Sequence, residues 1–320
     1  MHNIGIPRKD GRDRLMVEKT EFIWMDGAFI PWDDANVHIL THTLHYGLGA
    51  FEGIRCYKLA DGSPGIFRLR EHVDRIFDSC RIIMLDIPFT PEEICNACLE
   101  IVRRNRLEDC YIRPLVFMGD GAMGLGAQND VRVAIIAFPW GAYLGEEGLK
   151  NGIRTIVSSF TRMHVNINMV RAKVCGQYTN SILAKRLAMM QGFDETILLD
   201  SQGFVSEGSG ENLFALRNGT IKTPPTSTAI LEGITRDCVI QICKDLDFKL
   251  LEMKFTRDEL YISDEVFLSG TAAEITPVRE IDSRTIGNGK AGEVTKTIQD
   301  RYFKAVRGEI PAYSRWIEKV

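Results

Sequence analysis

Two charged residues of this chain sit where they could do carbonyl chemistry. Lys173 lies in AKVCGQYTNS (172–181), a stretch of small and uncharged residues, and Glu207 lies in SEGSGENLF (206–214), where glycines follow the carboxylate. An amine with little charge around it becomes a carbonyl-reactive nucleophile, because desolvation lowers its pKa from about 10.4. A lysine with a separate acid is the pair that a pyridoxal phosphate site requires. The lysine forms the Schiff base, and the acid keeps the pyridine nitrogen protonated. The pair alone is weak evidence, since most lysines and glutamates are solvated surface groups.

The neighbouring elements must position the pair. Residues 182–191 are amphipathic and 195–200 form an apolar run bounded by turn residues, so 171–214 reads as loop, helix, strand, turn. Upstream, 21–30 alternates around Asp26-Gly27, a favoured hairpin turn, and 54–59 with 65–69 make a second strand pair. Residues 71–85 have helical periodicity. Thr90-Pro91-Glu92-Glu93 is a capping box with proline at the first helical position, which starts a helix reaching 105. Strands follow at 110–118 and 131–138. Residues 139–148, with Trp140 and Tyr143, read as an interdomain connection. Beyond it come a strand at 152–160, a hairpin at 213–222 around Asn218-Gly219 and a helix at 235–246. A strand at 249–255, a short helix at 256–262, a strand at 265–268 and a closing helix at 294–306 complete the chain. The expected fold is α+β in two domains: a loose extension over 1–20, a small domain over 21–138, a connection over 139–148 and a larger domain over 149–320, with strand-rich cores.

A length of 320 residues exceeds the usual size of one core, in line with two domains. The 45% apolar and 26% charged content is that of a soluble globular protein. A net charge of −4 leaves no basic footprint for nucleic acid. No apolar run approaches the ~20 residues of a membrane span. Residues 1–20 are charged and lack an apolar signal core, so cytoplasmic residence is expected. The eight cysteines are scattered and suggest no disulfide framework. Cys95 and Cys98 have CxxC spacing inside a predicted helix without a second pair. They read as buried thiols, with a redox pair as the alternative.

Other motifs weaken in context. Gly119, Gly121 and Gly124 match GxGxxG, but 125–130 is short and polar and a strand follows, where a dinucleotide site needs a helix. A hairpin loop fits better. His38, His42 and His45 are spaced i, i+4, i+7 without HExxH or an acidic fourth ligand. They read as satisfied by backbone, and a metal-dependent hydrolase using them is the distant alternative. No GxSxG elbow is present. Phosphate has two candidate donor sets. Gly233-Ile234-Thr235 precedes an apolar helix whose first N–H groups could face an anion, and Ser269-Gly270-Thr271-Ala272 follows a strand with a hydroxyl and open amides. Ordinary capped turns are the competing reading for both.

With these sites in hand, the sequence resembles the branched-chain aminotransferases, pyridoxal phosphate enzymes of fold type IV, from about residue 22 to residue 303. The resemblance is carried by HTLHYGLGAFEGIRCY (42–57), YIRPLVFMGD (111–120), FPWGAYLG (138–145), AKVCGQYTNS (172–181), SEGSGENLF (206–214), GITRD (233–237) and SGTAAEITPVR (269–279). It implies a smaller N-terminal α/β domain and a larger C-terminal domain, with the cofactor at their interface and the connection as a mobile flap. Lys173 would form the internal aldimine and shuttle the proton, Glu207 would pair with the pyridine nitrogen, and Tyr178 would hydrogen-bond the phenolic oxygen. Arg75, Ile234, Thr235 and Thr271 would hold the phosphate. Tyr111 and the amides of Thr271 and Ala272 would take the substrate α-carboxylate, and Phe51, Gly53, Trp140 and Tyr143 would wall the side-chain pocket. Tyr46, Met123 and Leu125 are implied to come from the neighbouring subunit, so a homodimer is the minimum and a hexamer is open. The implied substrates are leucine, isoleucine and valine with their 2-oxo acids, against glutamate and 2-oxoglutarate, in ping-pong order.

One pocket must then accept both an apolar side chain and a carboxylate. Arg113 alternates with Tyr111 along a strand and is assigned to the distal carboxylate, with help from Tyr46. A tie to a neighbouring acid is the competing role. Two departures from the family stand out: RMHVNINMV (162–170) lacks the prolines usual there, and Cys175 stands where glycine or another small residue is commoner. D-amino-acid aminotransferases and aminodeoxychorismate lyases share the fold, but FEGIRCY and YIRPL favour the branched-chain class.

Overall fold

Local turn chemistry starts the first sheet. Asp26 and Gly27 both take positive φ (48° and 93°), the geometry of a type I′ turn, and fold Phe22–Met25 back on Ala28–Pro31. Thr90 closes the capping box, its hydroxyl accepting the Glu93 N–H while the Glu93 carboxylate accepts the Thr90 N–H, and the helix Pro91–Arg104 follows. The computed structural model describes residues 17–141 and 144–320; Tyr143 and residues 1–16 of the expected extension lie outside the described residues.

Contacts divide the chain into two units. The first comprises Val17–Gly141, Arg171–Tyr178 and Phe303–Val320. Among its described residues, seven strands run in the order Ile317–Lys319, Pro64–Phe67, Ile54–Lys58, Cys110–Met118, Val131–Pro139, Phe22–Met25, Ala28–Pro31, and Gly49–Phe51 pairs with Cys110–Met118. Every pairing is antiparallel. The helices Leu69–Ile82 and Pro91–Arg104 share a core with the sheet, where Ile54, Ile112, Val116 and Ile135 meet Val73, Ile76, Ile94 and Ile101. Each such isoleucine contributes about 1.5–3 kcal/mol by leaving water. Because strand side chains alternate, burying Ile112 and Val116 here turns Tyr111 and Arg113 to the opposite face.

The lysine segment Arg171–Tyr178 and the C-terminal tail Phe303–Val320 thus group with the N-terminal unit, not with residues 149–320 as a chain-order division would have it. The reason is local pairing. The Phe51 N–H donates to the Lys173 carbonyl (3.1 Å), Ala50 bridges Val174, and Ile317–Lys319 adds an antiparallel edge strand to Pro64–Phe67.

The second unit contains residues 144–170 and Thr179–Tyr302. Its sheet runs Val205–Gly208, Glu195–Leu199, Ile153–Val157, Glu274–Ile281, Glu265–Gly270, Asn212–Arg217, Thr220–Thr223, Lys249–Glu252, with Arg284–Thr285 on Glu274–Ile281. Parallel pairs flank Ile153–Val157 on both sides, and the remainder are antiparallel apart from Thr220–Thr223 with Lys249–Glu252. Ile153, Ile197, Val205, Leu213, Leu268 and Val278 meet in its core. Three strands of this sheet are missing from the sequence expectation, one of them the two-residue Arg284–Thr285. Val205–Gly208, read there as part of a turn, is a fully buried strand, and Glu274–Ile281 is the central strand of the sheet. Neither shows an alternating pattern, since strands covered on both faces carry no period-two signal.

Candidate active site

In the first unit the ties just described fix the backbone of Lys173, and Ser79 adds a third by accepting its N–H at 3.0 Å. The ammonium is held 2.6 Å from the Tyr178 hydroxyl and lies 4.9 Å and 5.2 Å from the ring centres of Phe51 and Tyr178. Those two rings are themselves 4.9 Å apart. A lysine so surrounded has an aromatic, partly dry setting and a hydroxyl partner, as a carbonyl-reactive amine needs.

The face of the sheet that carries Tyr111 is lined by aromatic rings. Tyr111 lies 5.8 Å from Phe138 and 5.3 Å from Trp140. The Arg113 guanidinium lies over Phe51 (4.8 Å) and Tyr111 (5.2 Å), and its Nε is buried without a hydrogen-bond partner. Gly53 leaves the room for the Tyr111 hydroxyl, since a β-carbon there would fall 1.7 Å from it.

Arg75 is paired to Glu52, which is not among the expected site residues. Glu52, fully buried, accepts from Arg75 Nε at 2.6 Å and from its other arm at 2.8 Å, while His72 Nδ1 lies 2.7 Å from the same carboxylate. Burial disfavours the charged form of Glu52, yet Arg75 and His72 hold its pKa well below the usual carboxylate range. Burial in turn pushes the His72 pKa down against the pull of Glu52.

Glu207 lies in the second unit. Glu207 is 4% exposed, with one oxygen 2.6 Å from Arg162 Nε and the other accepting the Leu231 N–H at 2.9 Å and the Asn212 side chain at 3.4 Å. Arg162 opens the segment whose composition departs from the family; Asn212 also fills the place of a β-carbon at Gly233. Gly233 starts the helix Ile234–Asp245 with no side-chain cap, which leaves the first N–H groups, those of Ile234 and Thr235 included, open to an anion. The turn holding Thr271 and Ala272 joins Glu265–Gly270 to Glu274–Ile281, and beside it Ser269 Oγ is buried without a partner.

Tyr46, Met123 and Leu125 form a separate, exposed feature of the first unit. The His42 ring lies tilted against Tyr46 (4.5 Å) and its Nε2 meets the Gly124 carbonyl (2.9 Å), which joins the helix His42–Tyr46 to the glycine loop. Tyr46 and Met123 are 44% and 43% exposed and Leu125 is 91% exposed. His38 and His45 also meet backbone, at the Leu40 N–H and the Ile39 carbonyl. Among the described residues no three metal-capable side chains gather. The GxGxxG glycines lie in the loop joining Cys110–Met118 to Val131–Pro139, which the Asn129 side chain fastens to Gly119 and Ala122. Cys95 and Cys98 are buried; burial raises the Cys95 thiol pKa to about 11 and the Cys98 thiol further. Burial also raises the thiol pKa of Cys175.

Comparison with known proteins bears on the family and the fold. Residues 49–281 match the family described as amino-transferase class IV. The branched-chain-amino-acid aminotransferase of Pseudomonas aeruginosa is 50% identical over 302 residues, 94% of this chain and 98% of that protein. The crystal structure of the Escherichia coli branched-chain amino acid aminotransferase has a TM-score of 0.92 at 44% identity, covering 94% of this chain and 99% of that one. Two structures of a further branched-chain amino acid aminotransferase, complexed with N-(5'-phosphopyridoxyl)-L-glutamate and with 4-methylvaleric acid, each give 0.88 at 47% identity, with 94% and 98% coverage. The chain therefore belongs to the class IV aminotransferases, and its fold is that of the branched-chain enzymes of fold type IV, whose cofactor is pyridoxal 5′-phosphate.

The residues present fit that cofactor. It brings an aldehyde, a phenolic oxygen, a pyridine nitrogen and a phosphate. The two units offer an amine held on a hydroxyl, a buried carboxylate, an uncapped helix N-terminus and an unpartnered buried hydroxyl at Ser269.

Proposed function

We propose that this chain transfers amino groups between leucine, isoleucine or valine and 2-oxoglutarate, in ping-pong order, with pyridoxal 5′-phosphate. The observation that carries the reading is the Lys173 ammonium held 2.6 Å from the Tyr178 hydroxyl between aromatic faces. When bound, the cofactor supplies an electrophilic aldehyde and an electron sink. Lys173 is its covalent anchor and moves the substrate α-proton, while Tyr178 donates to the phenolic oxygen. Glu207, paired with Arg162, faces the pyridine nitrogen. Arg75, the Ile234 and Thr235 amides and Thr271 take the phosphate.

Tyr111 and the amides of Thr271 and Ala272 receive the α-carboxylate. Phe51, Gly53, Trp140 and Tyr143 exclude water around an apolar side chain. Arg113 receives the distal carboxylate of glutamate through its planar fork and lies along an apolar substrate through its stem. Its open, buried Nε supports this role, as does a relative solved with both a glutamate adduct and an acid that has the carbon skeleton of leucine. The exposure of Tyr46, Met123 and Leu125 supports a homodimer in which they complete the site of the partner. The test compares L-leucine, L-isoleucine and L-valine with D-alanine and with aminodeoxychorismate as substrates. Turnover of either of the latter without turnover of the branched-chain amino acids would replace this reading with one of the other activities of the fold.

A further inference from the structure

The second unit buries three carboxylates close together, and only two of them have a base. Glu195 is fully buried and paired with Lys185, which also donates to the Asp194 carbonyl at 2.6 Å. Glu207, 4% exposed, is paired with Arg162 at 2.6 Å. Glu211, also 4% exposed, forms no ion pair among the described residues. Its carboxyl accepts the Gly210 N–H at 3.0 Å and fills the space where a β-carbon on Gly208 would fall, 2.6 Å away. Gly270 approaches from the strand Glu265–Gly270 and brings no charge. The charged groups that Glu211 feels are Glu195 and Lys185, from the neighbouring strand and helix, and Glu207.

Three carboxylates against two bases in a dry interior leave one negative charge too many, and the least costly remedy is a proton on the acid that lacks a base. We propose that Glu211 is a neutral carboxylic acid at neutral pH, and that loss of its proton places a second negative charge beside Glu207, which makes it a pH-dependent positioning residue for the pyridine nitrogen. The part that concerns the cofactor rests on the assignment of Glu207 given above. Burial, with Glu195 adding to it, pushes the Glu211 pKa up to about 8, in keeping with the charge count.

The test uses the holoenzyme and Glu211→Gln, an isostere of the protonated acid that still accepts the Gly210 N–H. Infrared difference spectra between neutral and alkaline pH should show a protonated carboxyl band disappearing in the wild type and no such change in the variant. The visible cofactor band should shift with pH near 8 in the wild type only, and the neutral-pH spectra of the two proteins should coincide. Thermal melting gives a third reading that needs no cofactor band. A folded pKa above the unfolded 4.5 means that Glu211 contributes its stability in full below 4.5 and loses it as pH rises to about 8. The melting temperature of the variant should therefore gain on the wild type across that interval. Absence of the carboxyl band from the wild type, or its persistence in the variant, would overturn the proposal. A cofactor shift that survives Glu211→Gln would also overturn it. A colourless protein would instead refute the pyridoxal phosphate reading, and the infrared result would still judge the state of Glu211.

Discussion

Gly53 and Tyr111 are complementary: the tyrosine hydroxyl occupies the place that a β-carbon on residue 53 would need, 1.7 Å from it. No rotation of a methyl group relieves such an overlap, so Gly53→Ala must move the tyrosine. If Tyr111 receives the α-carboxylate, the variant should lose roughly 100-fold in kcat/KM for every amino-acid substrate, the usual scale for a misplaced positioning group. Steady-state kinetics with leucine and glutamate, and a melting curve to show that the fold survives, check this. A loss confined to leucine would mean that Gly53 shapes only the side-chain pocket.

Arg113→Leu should separate the two half-reactions. Removing the fork from the distal carboxylate should cost the glutamate half-reaction roughly 2–4 kcal/mol in transition-state stabilisation, with a much smaller loss for leucine. Stopped-flow absorbance measures each half-reaction by itself. Equal losses would make the arginine structural and place the reading of glutamate elsewhere.

The pair Arg162–Glu207 allows stability and chemistry to be told apart. Arg162→Leu leaves a buried carboxylate without its base and should cost about 3–5 kcal/mol of stability, read by denaturant unfolding. Glu207→Gln should slow the chemical step roughly 100-fold in single-turnover experiments. An unchanged single-turnover rate would mean that another residue supplies the charge.

Much of this arrangement was legible in the sequence, and the rest fails for identifiable reasons. Turn and cap chemistry is local, so the Asp26-Gly27 hairpin and the Thr90 box follow from four residues each. The amine and acid stand out because their neighbours are small or glycine. Glu52, His72, Ser79 and Arg162 escaped because each acts on a residue with which it shares no motif, and Asn212 because a neutral amide beside Glu207 in SEGSGENLF gives no sign of its partner. Glu52 lies 23 residues from Arg75, and Ser79 lies 94 from Lys173. A signal for Glu52 was present, an acid set between the strands Gly49–Phe51 and Ile54–Lys58, where a buried charge needs a partner. The grouping of Arg171–Tyr178 with the N-terminal unit depends on pairing with Gly49–Phe51, which no chain-order division can anticipate.

Glu52 also predicts how acid acts on the fold. Its folded pKa lies below the unfolded 4.5, so its contribution is present above that value and fades as pH falls beneath it. The stability advantage of the wild type over Glu52→Gln should shrink steadily below pH 4.5 and hold constant above it, as followed by melting temperature. An advantage that stays constant into acid would mean that His72 and Arg75 do not hold the carboxylate ionised.

Lys173 is proposed to carry the cofactor, and one measurement addresses this directly. The purified protein is scanned for visible absorbance, reduced with borohydride, digested and mapped by mass spectrometry. A visible band that borohydride bleaches and a phosphopyridoxyl label on the peptide containing Lys173, absent from Lys173→Ala, is the predicted result. A colourless protein, or a label on another lysine with Lys173→Ala still active, would contradict the account.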